Sequence, residues 1–315
     1  MEFACGERDW VVARLSVSHM SDKTTTGCYR ELGAELRRVR EVAGLTEEEL
    51  GQQLGWSGTK VSRSECGYVR LNEMDVILYL AFCGVYGVHG SDQRAMCREA
   101  EANAGHWIRR YATGWSDATR SLVFHENTAS GSTSYEPMFV PGLLQTEGYI
   151  RALTGIRWPN CDIDFAVHVR TERQRILQRP SAGSFTFFVH ENALRVRLGD
   201  AGVMHEQVLA LLLLDGLPNV AIRVVPTETG ARGLFGGPFR VFEYTKYQPL
   251  VYLDSPVCGV FLEDREYVDD YCALLPTVAN NAMNEKESRE MLAALASEWD
   301  REGANPDGRD PVKEG

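Results

Sequence analysis

The sequence has no long apolar run, no cysteines at metal or redox spacing, and no surplus of positive charge. Each absence removes a class of protein. The longest apolar stretch, VLALLLLDGL at 208–217, falls short of the roughly 18–20 residues that a membrane span needs, so it reads as a buried helix and no membrane partner is expected. The eight cysteines, Cys5, Cys28, Cys66, Cys83, Cys97, Cys161, Cys258 and Cys272, form no C-x-x-C pair, which leaves zinc-ribbon and thioredoxin readings without support. Scattered thiols of this kind suit a reduced, cytoplasmic compartment. The N-terminus has no basic segment followed by an apolar one, so secretion is not expected. No H-E-x-x-H, no G-x-S-x-G and no Cys/His set at ligand spacing occurs; the expectation is therefore no enzyme, no catalytic residues, no metal and no cofactor. GARGLFGGPF (230–239) is glycine-rich, but no Lys-Ser/Thr pair follows it, so it reads as a hairpin-like loop and not as a phosphate cradle. The formal net charge of -11 and pI near 5.2 argue against blanket affinity for nucleic acid. A local basic face remains open, because steering depends on how charge is distributed as well as on its sum.

What is present suits a soluble globular protein of about two domains: 315 residues, 44% apolar and 24% charged. Residues 1–31 show little periodicity and read as a disordered or mis-called N-terminal extension. Met20 opens a polar lead, MSDKTTTGCYRELG, and is expected to be the true start. LGAELRRVREVAGL (32–45) predicts the first helix, with Leu32, Leu36, Val39 and Ala43 on one stripe, Arg37, Arg38 and Arg40 away from it, and Gly44 as a stop. Thr46 and Glu49 form a capping box for the next helix. Leu50 and Leu54 face inward, Gly51 suits a close helix crossing, and Gly55 permits positive φ. Ser57 caps a helix over 58–65 whose Val61 points inward; Ser64 occupies a slot where an aliphatic residue is expected. After Gly67, EMDVILYLAFCGV (73–85) supplies more apolar helix. Helix, glycine turn, helix within a small all-helical bundle (32–88) is the helix-turn-helix pattern.

The early residues of such a second helix face the major groove. The outward candidates are Thr59, Lys60, Ser62 and Arg63, with Ser57 and Gly58 at the helix start. Lys60 and Arg63 can donate to guanine or phosphate, and Thr59 can meet a thymine methyl. Thr46 and Glu47 stand at the other helix N-terminus, where backbone amides suit a phosphate. Residues 32–72 hold six basic side chains (Arg37, Arg38, Arg40, Lys60, Arg63, Arg70) and six acidic ones (Glu35, Glu41, Glu47, Glu48, Glu49, Glu65), so the module is neutral within an acidic chain. Non-specific affinity for double-stranded DNA is then weak and salt-sensitive, and a homodimer would double the contacts.

Residues 89–134, with Trp107 and Trp115, read as a helical connector ending in the loop NTASGSTS (127–134). Residues 135–300 read as a regulatory or partner-binding domain of mixed type with a small sheet. SFTFFVHE (184–191), GVMHEQVLALLLLDG (202–216) and VAIRVVP (220–226) suggest a β-α-β unit; FRVFEY (239–244) and LVYLDSP (250–256) suggest a hairpin. The segment 263–300 reads as helical and 301–315 as a disordered tail. The fold class expected for the whole chain is α+β. HENALR (190–195), within the polar stretch 190–200, reads as a turn with satisfied polar groups, with a ligand site as the alternative. VRTERQRILQR (169–179) is a basic stripe on a helix, read by default as a solvated face, with contact to phosphates or an acidic partner as the alternative.

LRRVREVAGLTEEELGQQLGWSGTKVSRSECG resembles the Xre/Cro (lambda-repressor-like) helix-turn-helix family. VPGLLQTEGYIRAL, RTERQRIL, HENALR, NVAIRVVP, GGPFRVFEY and ESREML, in that order, resemble the large domain of unknown function that follows this module in many actinobacterial regulators. The resemblance implies a sequence-specific transcriptional regulator acting as a homodimer. It also implies an alternative, an antitoxin-like protein that neutralises a small partner encoded by a neighbouring gene and binds DNA weakly or only to autoregulate. A third reading, an enzyme or small-molecule sensor in the second domain, stays open. The sequence departs from the family at Glu47, where glutamine is usual, at Gly58, where glutamine often touches DNA, at Ser64, where isoleucine is usual, and at Cys66. Each change weakens contact or packing, and an interior Gly58 costs about 1 kcal/mol of helix propensity against alanine. The intact mass of the protein made from its native gene is expected to begin at Met20; a species that contains residues 1–19 overturns that expectation.

Overall fold

The computed structural model describes residues 25–102, 105–111, 117–179 and 183–304. Five helices form the N-terminal bundle: α1 (Gly27–Val42), α2 (Glu47–Leu54), α3 (Gly58–Glu65), α4 (Glu73–Phe82) and α5 (Ser91–Ala102). The local signals hold where they were read. Thr46 Oγ1 accepts the Glu49 amide at 3.2 Å while Glu49 accepts the Thr46 amide at 2.8 Å, and Gly55 sits at φ +68. A β-carbon at Gly51 would lie 2.9 Å from the Trp56 carbonyl oxygen, so the α2–α3 turn needs glycine there. Ser64 is buried and donates to the Lys60 carbonyl at 2.8 Å. Its small size goes with a close crossing: a β-carbon on Gly33 of α1 would come 2.6 Å from the Ser64 carbonyl oxygen.

Two expectations change. The first helix starts at Gly27, with Thr26 accepting the Tyr29 amide, so the N-terminal extension read as 1–31 is shorter; residues 1–24, including Cys5 and Met20, lie outside the described residues. Cys28, Tyr29, Arg30 and Glu31 are all buried. A helix turn covered on every side has no periodic stripe to read. Arg40, placed away from the apolar stripe, is also buried. Its guanidinium grips Glu65 through two bonds of 2.6 and 2.8 Å and donates to the Leu45 carbonyl at 2.7 Å. The Tyr79 hydroxyl donates to the same Glu65 at 2.6 Å. One buried carboxylate thus ties α3 to α1 and α4.

The region read as a helical connector contributes to the sheet. After α5 the chain forms strand β1 (His106–Arg110), α6 (Asp117–Thr128) and strand β2 (Gly131–Glu136); Trp115 lies outside the described residues. The strands that follow are β3 (Ser184–His190), β4 (Val220–Val225), β5 (Phe239–Glu243), β6 (Leu250–Asp254) and β7 (Cys258–Leu262). They make one seven-stranded sheet of order β1-β7-β6-β5-β2-β3-β4, larger than the small sheet expected. β2, β3 and β4 run parallel and the remaining pairings are antiparallel. β2 is poor in β-branched and aromatic residues, and its strand form comes from pairing on both sides, with β3 and β5.

The remaining helices are α7 (Glu147–Arg157), α8 (Ile163–Gln174), the short α9 (Glu191–Arg195), α10 (Ala201–Leu214), α11 (Arg265–Asn281) and α12 (Glu285–Ala304). The expected β-α-β unit is β3, α10 and β4, and β5 and β6 form the expected hairpin. The C-terminal segment is two helices, and α12 carries helix through 301–304 of the expected tail; residues 305–315 lie outside the described residues. The whole is an α+β fold: a helical bundle followed by a mixed sheet with helices.

The bundle does not have a core of its own. Tyr29, Leu32 and Leu36 belong to one buried cluster with Trp107, Phe242, Leu250, Tyr252 and Phe261 of the sheet. Trp107 stacks on Phe261 with ring centroids 5.1 Å apart, and a β-carbon at Gly27 would run into the Trp107 ring. Beside this contact Glu31 of α1 is buried among Arg109 (3.1 Å), Ser121 (2.8 Å) and His125 (3.0 Å). Burial holds His125 below the ordinary histidine range, and its hydrogen bond to the carboxylate only partly offsets this. A carboxylate only accepts, so Nε2 carries the proton, and Nδ1 accepts the Tyr244 hydroxyl at 2.7 Å. Glu31→Ala leaves Arg109 and His125 without that acceptor and is expected to lower the unfolding free energy by about 3–5 kcal/mol. In urea titrations of the native chain, helical circular dichroism and tryptophan fluorescence are expected to change together; separate transitions would show that the bundle folds on its own core.

Candidate functional site

The side chains singled out on the helix-turn-helix fall on one continuous stretch of surface. Thr59 and Arg63 of α3 are exposed, Ser57 is exposed at its N-cap, and Gly58, Lys60 and Ser62 are half-buried. Ser57 accepts the Lys60 amide at 3.2 Å. The Lys60 ammonium lies 3.7 Å from the centroid of the Trp56 ring, a cation–π contact that fixes a long side chain without neutralising it. Trp56 was not singled out in the sequence; a large aromatic in a two-helix turn was the available signal. Among the described residues neither Lys60 nor Arg63 has a carboxylate within ion-pair distance, whereas Arg37 and Arg38 of α1 pair with Glu41 at 3.0 Å and Glu35 at 2.6 Å.

Thr46 and Glu47 stand at the N-terminus of α2, Thr46 exposed and Glu47 half-buried. The Thr46 hydroxyl is engaged with Glu49, to which it also donates at 2.9 Å. Glu47, Glu48 and Glu49 fill the first turn. They favour the helix dipole and place negative charge where a phosphate would have to approach. Gly58 lies against Glu48: a β-carbon there would meet its carboxylate oxygen at 3.0 Å. The glycine therefore makes room for an acidic residue of α2.

The second domain holds a cleft of about 640 Å³ among α6, α7, α8 and the β5–β6 hairpin. Of the basic stripe of 169–179, read by default as a solvated face, Arg175 and Arg179 are exposed as expected, whereas Arg170 and Arg173 turn inward. Arg170 and Arg173 line the cleft with Arg157 and Arg240. Beneath it Glu126 of α6 is buried and accepts from Arg173 at 2.7 and 3.0 Å and from Arg240 at 2.5 Å. Arg170 has one hydroxyl partner, Thr154 Oγ1 at 3.0 Å. Burial, with the neighbouring Arg173 guanidinium, pulls its pKa down to about 10. Glu136 lines the cleft too, and burial lifts its carboxyl pKa to about 8 against the pull of Arg240. At the far wall the Tyr111 hydroxyl donates to Asp254 at 2.7 Å.

HENALR, read as a turn with satisfied polar groups, is instead the end of β3 and the short helix α9, with His190 and Glu191 buried, but its polar groups are satisfied. His190 Nδ1 accepts the Asn192 amide at 3.1 Å, and Glu191 accepts the Thr227 amide and hydroxyl at 2.9 and 2.7 Å. Arg195 pairs with Glu191 and Glu298. The glycine-rich loop, read as hairpin-like, joins β4 to β5, which do not pair, so it closes no hairpin; the Tyr135 hydroxyl donates to the Gly233 carbonyl at 2.7 Å. No group of His, Cys, Asp and Glu among the described residues is placed to hold a metal ion, and no helix of the described residues is long and apolar enough to cross a membrane.

A family model described as a domain of unknown function (DUF5753) matches residues 119–294, more than half of the chain. A model described as a helix-turn-helix domain matches residues 31–96. No curated protein and no solved structure matches. The helix-turn-helix match covers α3 and points to a DNA-binding regulator.

The Glu136 carboxyl gives the cleft a pH signature. It faces Arg240, Asp254, Arg173 and Arg157, and its folded pKa near 8 lies above its ordinary 4.5. The folded chain therefore holds a proton that the unfolded chain releases between those values, and stability falls as pH rises from about 4.5 through 8. Glu136→Gln is expected to remove a loss on the order of 2 kcal/mol over that window, read as the pH dependence of the urea midpoint. Parallel profiles for both proteins would show an ordinary, solvated carboxylate.

Proposed function

The chain belongs to the DUF5753 family and carries a helix-turn-helix domain ahead of it; from that premise we infer that it is a sequence-specific transcriptional regulator, reading the major groove with α3 as a homodimer. The observation that carries this reading is the pair of uncompensated cations, Lys60 and Arg63, on the outer side of a helix whose inner side is anchored by Glu65. A base-reading helix needs donors held in register, and Trp56 and the Arg40–Glu65 pair supply that. Dimerisation is supported by α4, where Met74, Leu78 and Phe82 recur every four residues and are exposed at 62%, 45% and 42%. Two copies multiply few phosphate contacts, which an acidic chain needs. A DNA-binding regulator acts where the DNA is, and the protein is expected in the cytoplasm.

A second reading has its own support. The three glutamates at the start of α2 oppose a phosphate, which favours an antitoxin-like protein whose main partner is a small protein and whose DNA contact is weak or autoregulatory. Fluorescence anisotropy separates the two, using DNA from upstream of the chain's own gene against scrambled DNA at low and near-physiological salt. Lys60→Ala and Arg63→Ala are each expected to weaken specific binding by about 1–3 kcal/mol if they touch bases, or to reduce the salt slope by about one if they touch phosphate. Weak binding, equal on both DNAs and indifferent to both substitutions, would leave the partner-binding reading.

A further inference from the structure

We propose that the cleft among α6, α7, α8 and the β5–β6 hairpin binds a small apolar oxyanion, a compound with an anionic oxygen head group on an aromatic or aliphatic body. The site would fill whether or not α3 reads DNA.

Charge is the first argument. Arg157, Arg170, Arg173 and Arg240 bring four guanidinium groups to one cleft. Glu126 pairs with two of them, Arg173 and Arg240, and Asp254 at the far wall adds a second carboxylate. Glu136 is largely protonated at neutral pH and answers none. The cleft therefore keeps a net charge of four minus two, or +2, inside a chain of -11. Burying a guanidinium without a counter-charge is costly unless another group supplies one, and the planar fork of arginine matches an oxyanion through paired bonds.

Unpartnered atoms are the second. Arg240 is 4% exposed and its Nε, a donor, is buried with no partner; Gln145, 6% exposed, has an unpartnered Oε1, an acceptor that calls for a donor on the ligand and not for its anionic oxygen. Both side chains line the cleft. Among the described residues Arg157 and Arg170 have no carboxylate within ion-pair distance. Their guanidinium carbons lie 4.8 and 5.9 Å from the centre of one ring, that of Trp158. Two cations thus stand near one indole, held by only the Ser255 carbonyl at 3.4 Å and the Thr154 hydroxyl at 3.0 Å.

The walls set the rest of the ligand. Phe139, Leu153, Phe165 and Val169 join Trp158 around the cleft, and about 640 Å³ is a usual size for a small-molecule site. A nucleotide polyphosphate fits poorly: a charge of +2 is small for it, and among the described residues no glycine-rich turn of backbone amides lines the cleft. An anionic head near Arg157 and Arg170, with the body against the aromatic wall, satisfies both halves.

The test uses the full chain and 8-anilinonaphthalene-1-sulfonate, an aromatic oxyanion that fluoresces when bound, beside the uncharged N-phenyl-1-naphthylamine. The sulfonate is expected to saturate at one site per chain. Arg170→Met is expected to weaken it about tenfold or more, to leave the uncharged probe unchanged, and to raise the thermal midpoint, because a half-buried charge without a carboxylate partner is removed. Phe165→Ala, at a position 37% exposed and so tolerant of truncation, is expected to weaken both probes. Displacement by 1-naphthoate or 1-naphthyl phosphate, and not by 1-naphthol, supports the assignment, and the stronger of the two anions identifies the head group. The proposal is overturned if the sulfonate does not saturate at one site, if Arg170→Met binds it as the native chain does, or if 1-naphthol competes as well as the anions.

Discussion

The carboxylate of Glu31 is the constraint on which the rest of the molecule depends. It is 5% exposed, and it keeps its charge there because Arg109, Ser121 and His125 all reach it. Burial alone would raise its pKa; His125 and Arg109 hold it below the ordinary carboxylate range. Each partner comes from beyond the bundle, from β1 or α6. An ion cluster of this kind is intolerant of displacement, since any partner that moves away leaves a buried charge uncompensated. The orientation of α1 against the sheet is therefore fixed by electrostatics as well as by the apolar contact with Trp107 and Phe261. Through Arg40 and Glu65 the same helix fixes α3.

Helix α6 extends that connection to the cleft. His125 and Glu126 are neighbours in sequence, and neighbours on a helix point about 100° apart. His125 meets Glu31 on one side, while Glu126 holds Arg173 and Arg240 on the other. Buried charge contacts thus run from the cleft, across α6, into α1 and on to the helix that presents Lys60 and Arg63. Tyr252 follows a similar course: it lines the cleft and packs on Phe261 with ring centroids 4.9 Å apart, inside the cluster that holds Tyr29 and Leu32. The two halves of the chain share helices, core and counter-charges, which distinguishes them from modules joined by a flexible linker.

What was legible in the sequence was local. The Thr46–Glu49 box, the Ser57 cap and Gly55 are fixed by residues a few positions apart, and the structure carries each of them. The β-α-β unit and the hairpin were also readable, because their strands are rich in β-branched and aromatic residues. The illegible features all depend on distant partners. Arg40 and Arg173 look like solvated charges until Glu65 and Glu126 are brought to them from 25 and 47 residues away. β1 is five residues long and β2 is largely Ser, Thr and Gly; both owe their form to neighbouring strands. The first turn of α1 carries no stripe because it is covered all round. The helical face offered to DNA was readable, whereas the cleft was not, since its residues come from six separate elements.

The handling of buried guanidinium groups bears on what the second domain is for. Arg40, Arg109, Arg173 and Arg240 are each answered by a carboxylate. Arg223 is answered by three backbone carbonyls at the end of α11 and just beyond it, those of Ala279, Ala282 and Met283. Arg30 lies between the rings of Tyr244 and Tyr247, 4.2 and 4.4 Å from their centres. These cations are thus each met by a carboxylate, by carbonyls or by aromatic rings, although Arg30 Nε and Nη1 and Arg240 Nε are buried without a hydrogen-bond partner. Arg170 has the least: a single hydroxyl and the Trp158 ring, 5.9 Å away, face a guanidinium already destabilised by its neighbour Arg173. A deficit of that kind persists where another force than stability maintains it. Its position in a cleft with an aromatic wall makes recognition of an anion the force that the local chemistry supports.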